Sequence, residues 1–247
     1  MNNKKVKKII FLLLTIFLVG VLIYSLYQSL IIYIPQMQEQ DRFSEIKRIV
    51  KQDKNQADSK HKFDELTRMN DDFTGWLKIK KTEIDYPVVS PPGNDAEYYL
   101  HRDFDKNYSF SGTPYIGAGT DEDSDSFIIY AHNMKNGTMF GDLDDYKDKD
   151  WAKKHKIVEF ETTSEKRKYC VFAAIQTKVG SKDEYKYYNK TGNLNEKEYA
   201  DYLKEIKEIS LIDIGTYPEK KTQILMLSTC SYHTENGRFV VFAYRTN

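Results

Sequence analysis

Two kinds of hydrophobic patterning divide the chain. From Ile9 to Ile34 no side chain is charged, and only Thr15, Ser25, Gln28 and Ser29 are plainly polar. Such a run exceeds the roughly 20 apolar residues needed to cross a bilayer. Beyond Asp71 the apolar residues come in short runs instead: Trp76 to Ile79, Ile84 to Val89, Thr113 to Ile116, Phe127 to Ala131, Ile157 to Phe160, Lys168 to Thr177, Ile224 to Thr229 and Phe239 to Tyr244. Turn-forming residues separate them, and about eight strands of this kind predict a barrel or sandwich. Between the two regions, Phe43, Ile46 and Val50, then Phe63, Leu66 and Met69, recur at helical spacing around a charged segment from Lys51 to Lys60. That spacing predicts a stalk of two short helices with a hinge between them.

Two further helices interrupt the strands. Asn195-Glu-Lys-Glu198 has the form of a capping box, and Tyr199, Tyr202, Leu203, Ile206 and Ile209 behind it share one helical face. Asp142 to His155, with Leu143, Tyr146 and Trp151, is a second helical stretch. The chain then divides into a basic tail (1–8), an apolar anchor (9–34), a helical stalk (35–70) and a mainly β domain (71–247).

Composition supports a globular β domain: 40% of the 247 residues are hydrophobic, and 19 are tyrosines, which suit half-buried pleated surfaces. The formal charge is zero, but Lys4, Lys5, Lys7 and Lys8 stand together before the apolar run. With no Lys or Arg after it until Arg42, they predict a cytoplasmic N-terminus and an extracytoplasmic body. A cleaved signal peptide shares the basic start, but its apolar core is shorter and ends in small residues, whereas this run continues into Tyr24, Tyr27 and Tyr33. The totals suggest no basic face for nucleic acid.

Candidate chemistry centres on Cys230. It ends the run Gln223-Ile-Leu-Met-Leu-Ser-Thr-Cys230, and Arg238 opens the next, Arg238-Phe-Val-Val-Phe-Ala-Tyr-Arg245. Joined by a short polar loop, the two runs predict a hairpin that sets a guanidinium beside a thiol, a setting that favours the nucleophilic thiolate. Cys170 lies mid-strand; outside the cell the two cysteines could pair, and sequence leaves that open. His132 ends the strand Phe127-Ile-Ile-Tyr-Ala-His132 beside a turn-rich loop, where an imidazole can serve as acid or base. Cys230-x-x-His233 has half the form of a zinc site, but two more ligands at suitable spacing are missing, so neither metal nor cofactor is expected. His61, His101 and His155 stand in polar surroundings and read as solvated. Asp121-Glu-Asp-Ser-Asp125 lacks the glycine and glutamate of a calcium loop and reads as an acidic turn.

Leu227-Ser-Thr-Cys230 followed by Arg238 resembles the sortase signature, in which Thr-Leu-x-Thr-Cys precedes an arginine on the next strand; Met226 stands where the first threonine usually is. Tyr130-Ala-His-Asn133 resembles that family's catalytic-histidine motif. Asp72-Phe-Thr-Gly-Trp-Leu77, Asp85-Tyr-Pro-Val-Val89, Tyr98-Tyr-Leu100, Ser111-Gly-Thr113 and Met139-Phe140 resemble class B members, and the likeness spans Asp71 to Arg245. The resemblance implies an eight-stranded sortase-type β-barrel with N-terminal helices and a helix inserted before the cysteine strand, preceded by one transmembrane helix. It implies a cysteine transpeptidase in which Cys230 attacks the carbonyl after a threonine, His132 moves protons and Arg238 stabilises the oxyanion. Ser228 and Thr229 are expected to shape the pocket, Tyr188 to line the groove and Asn94 to touch substrate. Implied partners are secreted proteins with a C-terminal sorting signal, a lipid-linked peptidoglycan precursor and the membrane through the N-terminal helix. Two alternatives stay open: a pilin-polymerising sortase, and a membrane-tethered module that binds peptides without catalysis.

Overall fold

The computed structural model describes residues 3–53, 63–93, 95–182 and 184–247. Asn94, His61 and most of the hinge expected between Lys51 and Lys60 lie outside these residues. The first helix, α1 (Asn3–Asp53), runs on through Pro35, where the stalk was expected to begin. By length and composition α1 is a candidate membrane span, with apolar side chains such as Phe11, Leu18, Leu22 and Leu30 exposed along its first part. The chain divides into two compact units, 1–42 and 43–247. Within the second, Phe43, Ile46 and Val50 are buried, and the Phe43 ring meets Tyr86 edge-on at 5.4 Å. Helix α2 (Asp64–Met69) follows and buries Leu66.

Eight strands then form a closed barrel: β1 (Phe73–Ile79), β2 (Asp85–Val89), β3 (Tyr115–Ile116), β4 (Ser126–Tyr130), β5 (Ile157–Thr162), β6 (Lys166–Lys178), β7 (Ile224–Cys230) and β8 (Gly237–Arg245). Their order around the barrel is β1-β2-β3-β4-β7-β8-β6-β5. Closure removes free sheet edges. Each strand expected from the sequence is present, although β3 is cut to two residues.

The uninterrupted apolar runs of β7 and β8 have a simple cause: both faces are covered. Leu225, Leu227, Phe239, Val241 and Ala243 join the barrel core. Ile224, Met226, Val240 and Phe242 face a second core with Tyr199, Tyr202 and Ile206 of helix α4 (Glu196–Ile209). Burying side chains of this size contributes about 1.5–3 kcal/mol each. Helix α4 starts with the expected capping box: Glu198 N–H donates to Asn195 Oδ1 and Asn195 N–H to Glu198 Oε2, both at 2.9 Å. Ile209 departs from the expected face and is exposed. Met226, the departure from the signature, is buried here, and the Tyr202 hydroxyl points at its sulfur at 3.0 Å. The helical stretch expected from Asp142 to His155 is divided. A 3₁₀ helix spans Gly141–Lys147, and α3 (Lys149–Lys154) begins at Asp148, whose carboxylate accepts the Asp150 and Trp151 N–H groups.

Candidate active site

Strand register assembles the site. β4 and β7 are parallel neighbours, with Ile129 opposite Leu227 and Tyr130 opposite Ser228. Two residues further along each strand lie His132 and Cys230, so the parallel pairing brings both to the same end of the barrel. Beyond the last ladder pair the Thr229 hydroxyl donates to the Ala131 carbonyl at 2.8 Å, which carries the alignment toward His132. On the other flank β7 and β8 are antiparallel, and Cys230 pairs directly with Arg238. Neighbouring strands lie about 4.8 Å apart, so histidine, cysteine and arginine stand in a row across three strands.

The turn between Cys230 and Arg238 depends on Gly237. A Cβ there would fall 2.5 Å from the Ser231 carbonyl oxygen, closer than side-chain carbons approach backbone. The loop preceding β3 needs Gly112 for a similar reason. Its φ is +63°, and a Cβ would meet the Tyr99 and Leu100 carbonyl oxygens at 2.6 and 2.4 Å. That close passage seats the 3₁₀ helix Tyr98–His101 against the site.

Leu100 of this helix accepts a hydrogen bond from His132 Nε2 at 2.9 Å. A carbonyl only accepts, so Nε2 carries the hydrogen and Nδ1 of the neutral ring is left to exchange protons. Burial lowers the His132 pKa below the ordinary 6.5; the Leu100 contact raises it and His101 adds to the lowering. The imidazole is therefore mainly neutral at neutral pH. Asn133, next in sequence, is buried, and its amide donates to the Cys230 carbonyl and to Asp144 Oδ2, each at 3.0 Å. It fastens the histidine loop to the cysteine loop. The Tyr232 hydroxyl adds a second tie, donating to the Asn133 carbonyl at 2.7 Å.

Cys230 is exposed and free, whereas Cys170 is free and buried in β6. Cys170 pairs with Tyr244, six residues along β8 from Arg238, which is roughly 20 Å of strand. A disulfide spans at most about 7 Å between Cα atoms, so the pairing left open by the sequence is ruled out within the barrel. Arg238 is half-buried and donates to the Gly237 carbonyl at 3.0 Å; among the described residues it has no carboxylate partner. Its charge is left for whatever enters.

These residues open onto a cleft of about 480 Å³, lined by Tyr115, Tyr130, Tyr187 and Tyr188 as well as His132, Ser228, Thr229, Cys230 and Arg238. Of the expected site residues all but Asn94 therefore meet in one place. Ser228 is buried, with its hydroxyl 2.8 Å from that of Tyr187. Tyr188 reaches out of the cleft, donating to Glu184 at 2.7 Å. Burial raises the Tyr115, Tyr130 and Tyr187 pKa values, so these phenols stay protonated and can donate. His233 bonds to the Ser231 hydroxyl at 2.9 Å, and among the described residues no group of three His, Cys, Asp or Glu is placed to hold a metal.

One histidine departs from the solvated reading: His155 is half-buried and packs on Trp151 with ring centroids 3.9 Å apart, whereas His101 is exposed, as expected, with its ring near that of His132. Leu100, Asn133 and Tyr187 escaped the sequence. Leu100 acts through its backbone, which no side-chain pattern reveals. Asn133 stood inside the histidine motif, and its place there was the available signal.

A sortase domain model matches residues 77–246. Sortase B of Listeria monocytogenes is 34% identical over 181 residues, covering 72% of this chain and 71% of that protein. Sortase B of Staphylococcus aureus is 30% identical over 234 residues, covering 92% and 93%. The solved Staphylococcus aureus sortase B–substrate complex superposes with a TM-score of 0.77 at 28% identity, covering 87% of this chain and 99% of that one. Barrel, inserted helix and family match agree: the chain belongs to the sortase family, as a class B member and a cysteine transpeptidase of the cell wall.

Proposed function

We propose that this transpeptidase cleaves a C-terminal sorting signal after threonine and joins the released carbonyl to an amine of a lipid-linked peptidoglycan precursor. In this reading Cys230 is the nucleophile, His132 the proton carrier and Arg238 the oxyanion donor. The observation that carries it is the register that ranges the three along one rim, with an unpaired guanidinium beside an exposed thiol. The solved relative that holds a substrate supports reading the barrel as a substrate-binding scaffold.

The proposed steps use these three side chains in turn. Neutral His132 takes the Cys230 proton on Nδ1 as sulfur adds to the carbonyl carbon after threonine. The oxygen gains negative charge, and the guanidinium, permanently charged and planar, donates to it. The imidazolium then passes its proton to the departing amide nitrogen, the C–N bond breaks and a thioester remains. An incoming amine gives a proton to the imidazole and attacks the thioester, and the thiolate leaves and is reprotonated. Ser228, through its bond to Tyr187, and Thr229, through Ala131, hold the cleft wall in shape. Helix α1 anchors the enzyme at the outer membrane face, where exported proteins and precursors are concentrated.

The test is a peptide carrying a threonine sorting signal, offered with a peptidoglycan-stem amine. The wild-type chain is expected to give a thioester adduct by mass spectrometry and a product joined at the threonine. Cys230→Ala is expected to lose both, with cleavage down at least about 10³-fold. Undiminished cleavage by that variant overturns the mechanism. A product formed only with a pilin lysine replaces the acceptor, and binding without turnover by the wild type leaves a peptide-holding module.

A further inference from the structure

His132 has a companion ring. His101 closes the 3₁₀ helix Tyr98–His101, and the two imidazole centroids lie 5.3 Å apart with the planes tilted by 35°. Tyr108, itself exposed, stacks on His101 at 6.4 Å and 22°. The residue before His101, Leu100, is the one whose carbonyl takes the His132 Nε2–H. One short helix thus meets the histidine twice, fixing a nitrogen and backing the ring.

We propose that His101 is a positioning residue for His132: its ring braces the imidazole in the orientation that presents Nε2–H to the Leu100 carbonyl. The inference rests on the acid–base role proposed for His132.

Charge and burial point the same way. Burial lowers the proton affinity of His132, Leu100 pulls against it, and His101 adds to the lowering. The other ionisable groups around His132 in the cleft are Glu97, Tyr115, Tyr130, Tyr187, Tyr188, Cys230 and Arg238. His101 is not part of that lining; it is exposed, with its ring against the imidazole. The adjacent cation, Arg102, is engaged over the Tyr98 ring at 4.3 Å.

A ring-nitrogen NMR titration of the full-length chain in detergent micelles tests this, with two variants. His101→Phe keeps a flat ring and removes the charge; His101→Gln removes both. The His132 midpoint is expected to rise in each, because the His101 contribution to its lowering is removed. The Nε2–H tautomer is expected to persist in His101→Phe and to lose population in His101→Gln. An unchanged midpoint in both variants overturns the contact with His132, and equal tautomer populations overturn the brace. If the midpoint moves while the pH dependence of kcat/KM does not, His101 acts as inferred and the acid–base role of His132 fails instead.

Discussion

Two arginines at opposite ends of the barrel have been put to opposite uses. Arg167, near the start of β6, is 2% exposed and fully engaged: its guanidinium meets Asp123 and Glu165 and donates to the Glu122 carbonyl. Gln223 joins it, donating to the Glu122 and Ser124 carbonyls at 2.8 Å each. Together they staple the acidic turn Asp121–Asp125 to the starts of β6 and β7. Arg238 lies opposite Thr177, ten residues further along β6 or roughly 30 Å of strand, and holds a single backbone carbonyl. The difference teaches how to tell a structural cation from an available one. Strand position does not separate them; the number of hydrogen bonds already satisfied does.

Substitution sharpens the contrast. Arg238→Ala is expected to lower kcat/KM of peptide cleavage by about 10²–10³-fold, the range for a lost oxyanion donor, with the denaturation midpoint unchanged. Near-normal turnover removes this arginine from the mechanism. Arg167→Ala is expected to do the reverse, losing about 2 kcal/mol in urea unfolding while kcat per folded molecule holds. Its partners Asp123 and Glu165 are 77% and 41% exposed, which keeps the cost below that of a fully buried pair. A fall in kcat without destabilisation would erase the distinction between the two ends.

Asn133 joins the histidine loop to the cysteine loop, so Asn133→Ala is expected to reduce kcat about tenfold with KM little changed. A loss confined to stability would make it a packing residue only. The smallest effect concerns pH. The folded His132 pKa is lowered, so the neutral ring persists below the ordinary 6.5, and the acid limb of kcat/KM is expected to fall below that value. The same sign makes this group's share of stability fade as pH falls from 6.5 toward the lowered folded value. An acid limb above 6.5 contradicts the assignment.

Much of this was legible in the chain because it is encoded locally. The Cys230–Arg238 pair follows from a hairpin whose strands are consecutive, and the α4 capping box from four adjacent residues. What stayed hidden is what distance or backbone decides. Nothing in Phe127 to His132 names β7 as its partner, since the choice depends on how the intervening strands and α4 pack. The Leu100 carbonyl has no side-chain signature. The contact of His101 with His132 comes from a 3₁₀ turn that no side-chain pattern announces. Helix α1 carries on through Pro35, where propensity argues for a break.

The β4–β7 seam also constrains how the molecule comes into being. Its contact between Thr229 and Ala131 joins residues 98 apart in sequence. Closing so long a span costs chain entropy before any ladder bond repays it, and such non-local pairings slow folding. Local hairpins such as β5–β6 and β7–β8 can form early, but the row His132–Cys230–Arg238 exists only once this seam has zipped. Under the proposed mechanism catalytic competence is therefore a late folding event, since a partly folded chain carries the Cys230 thiol without His132 beside it.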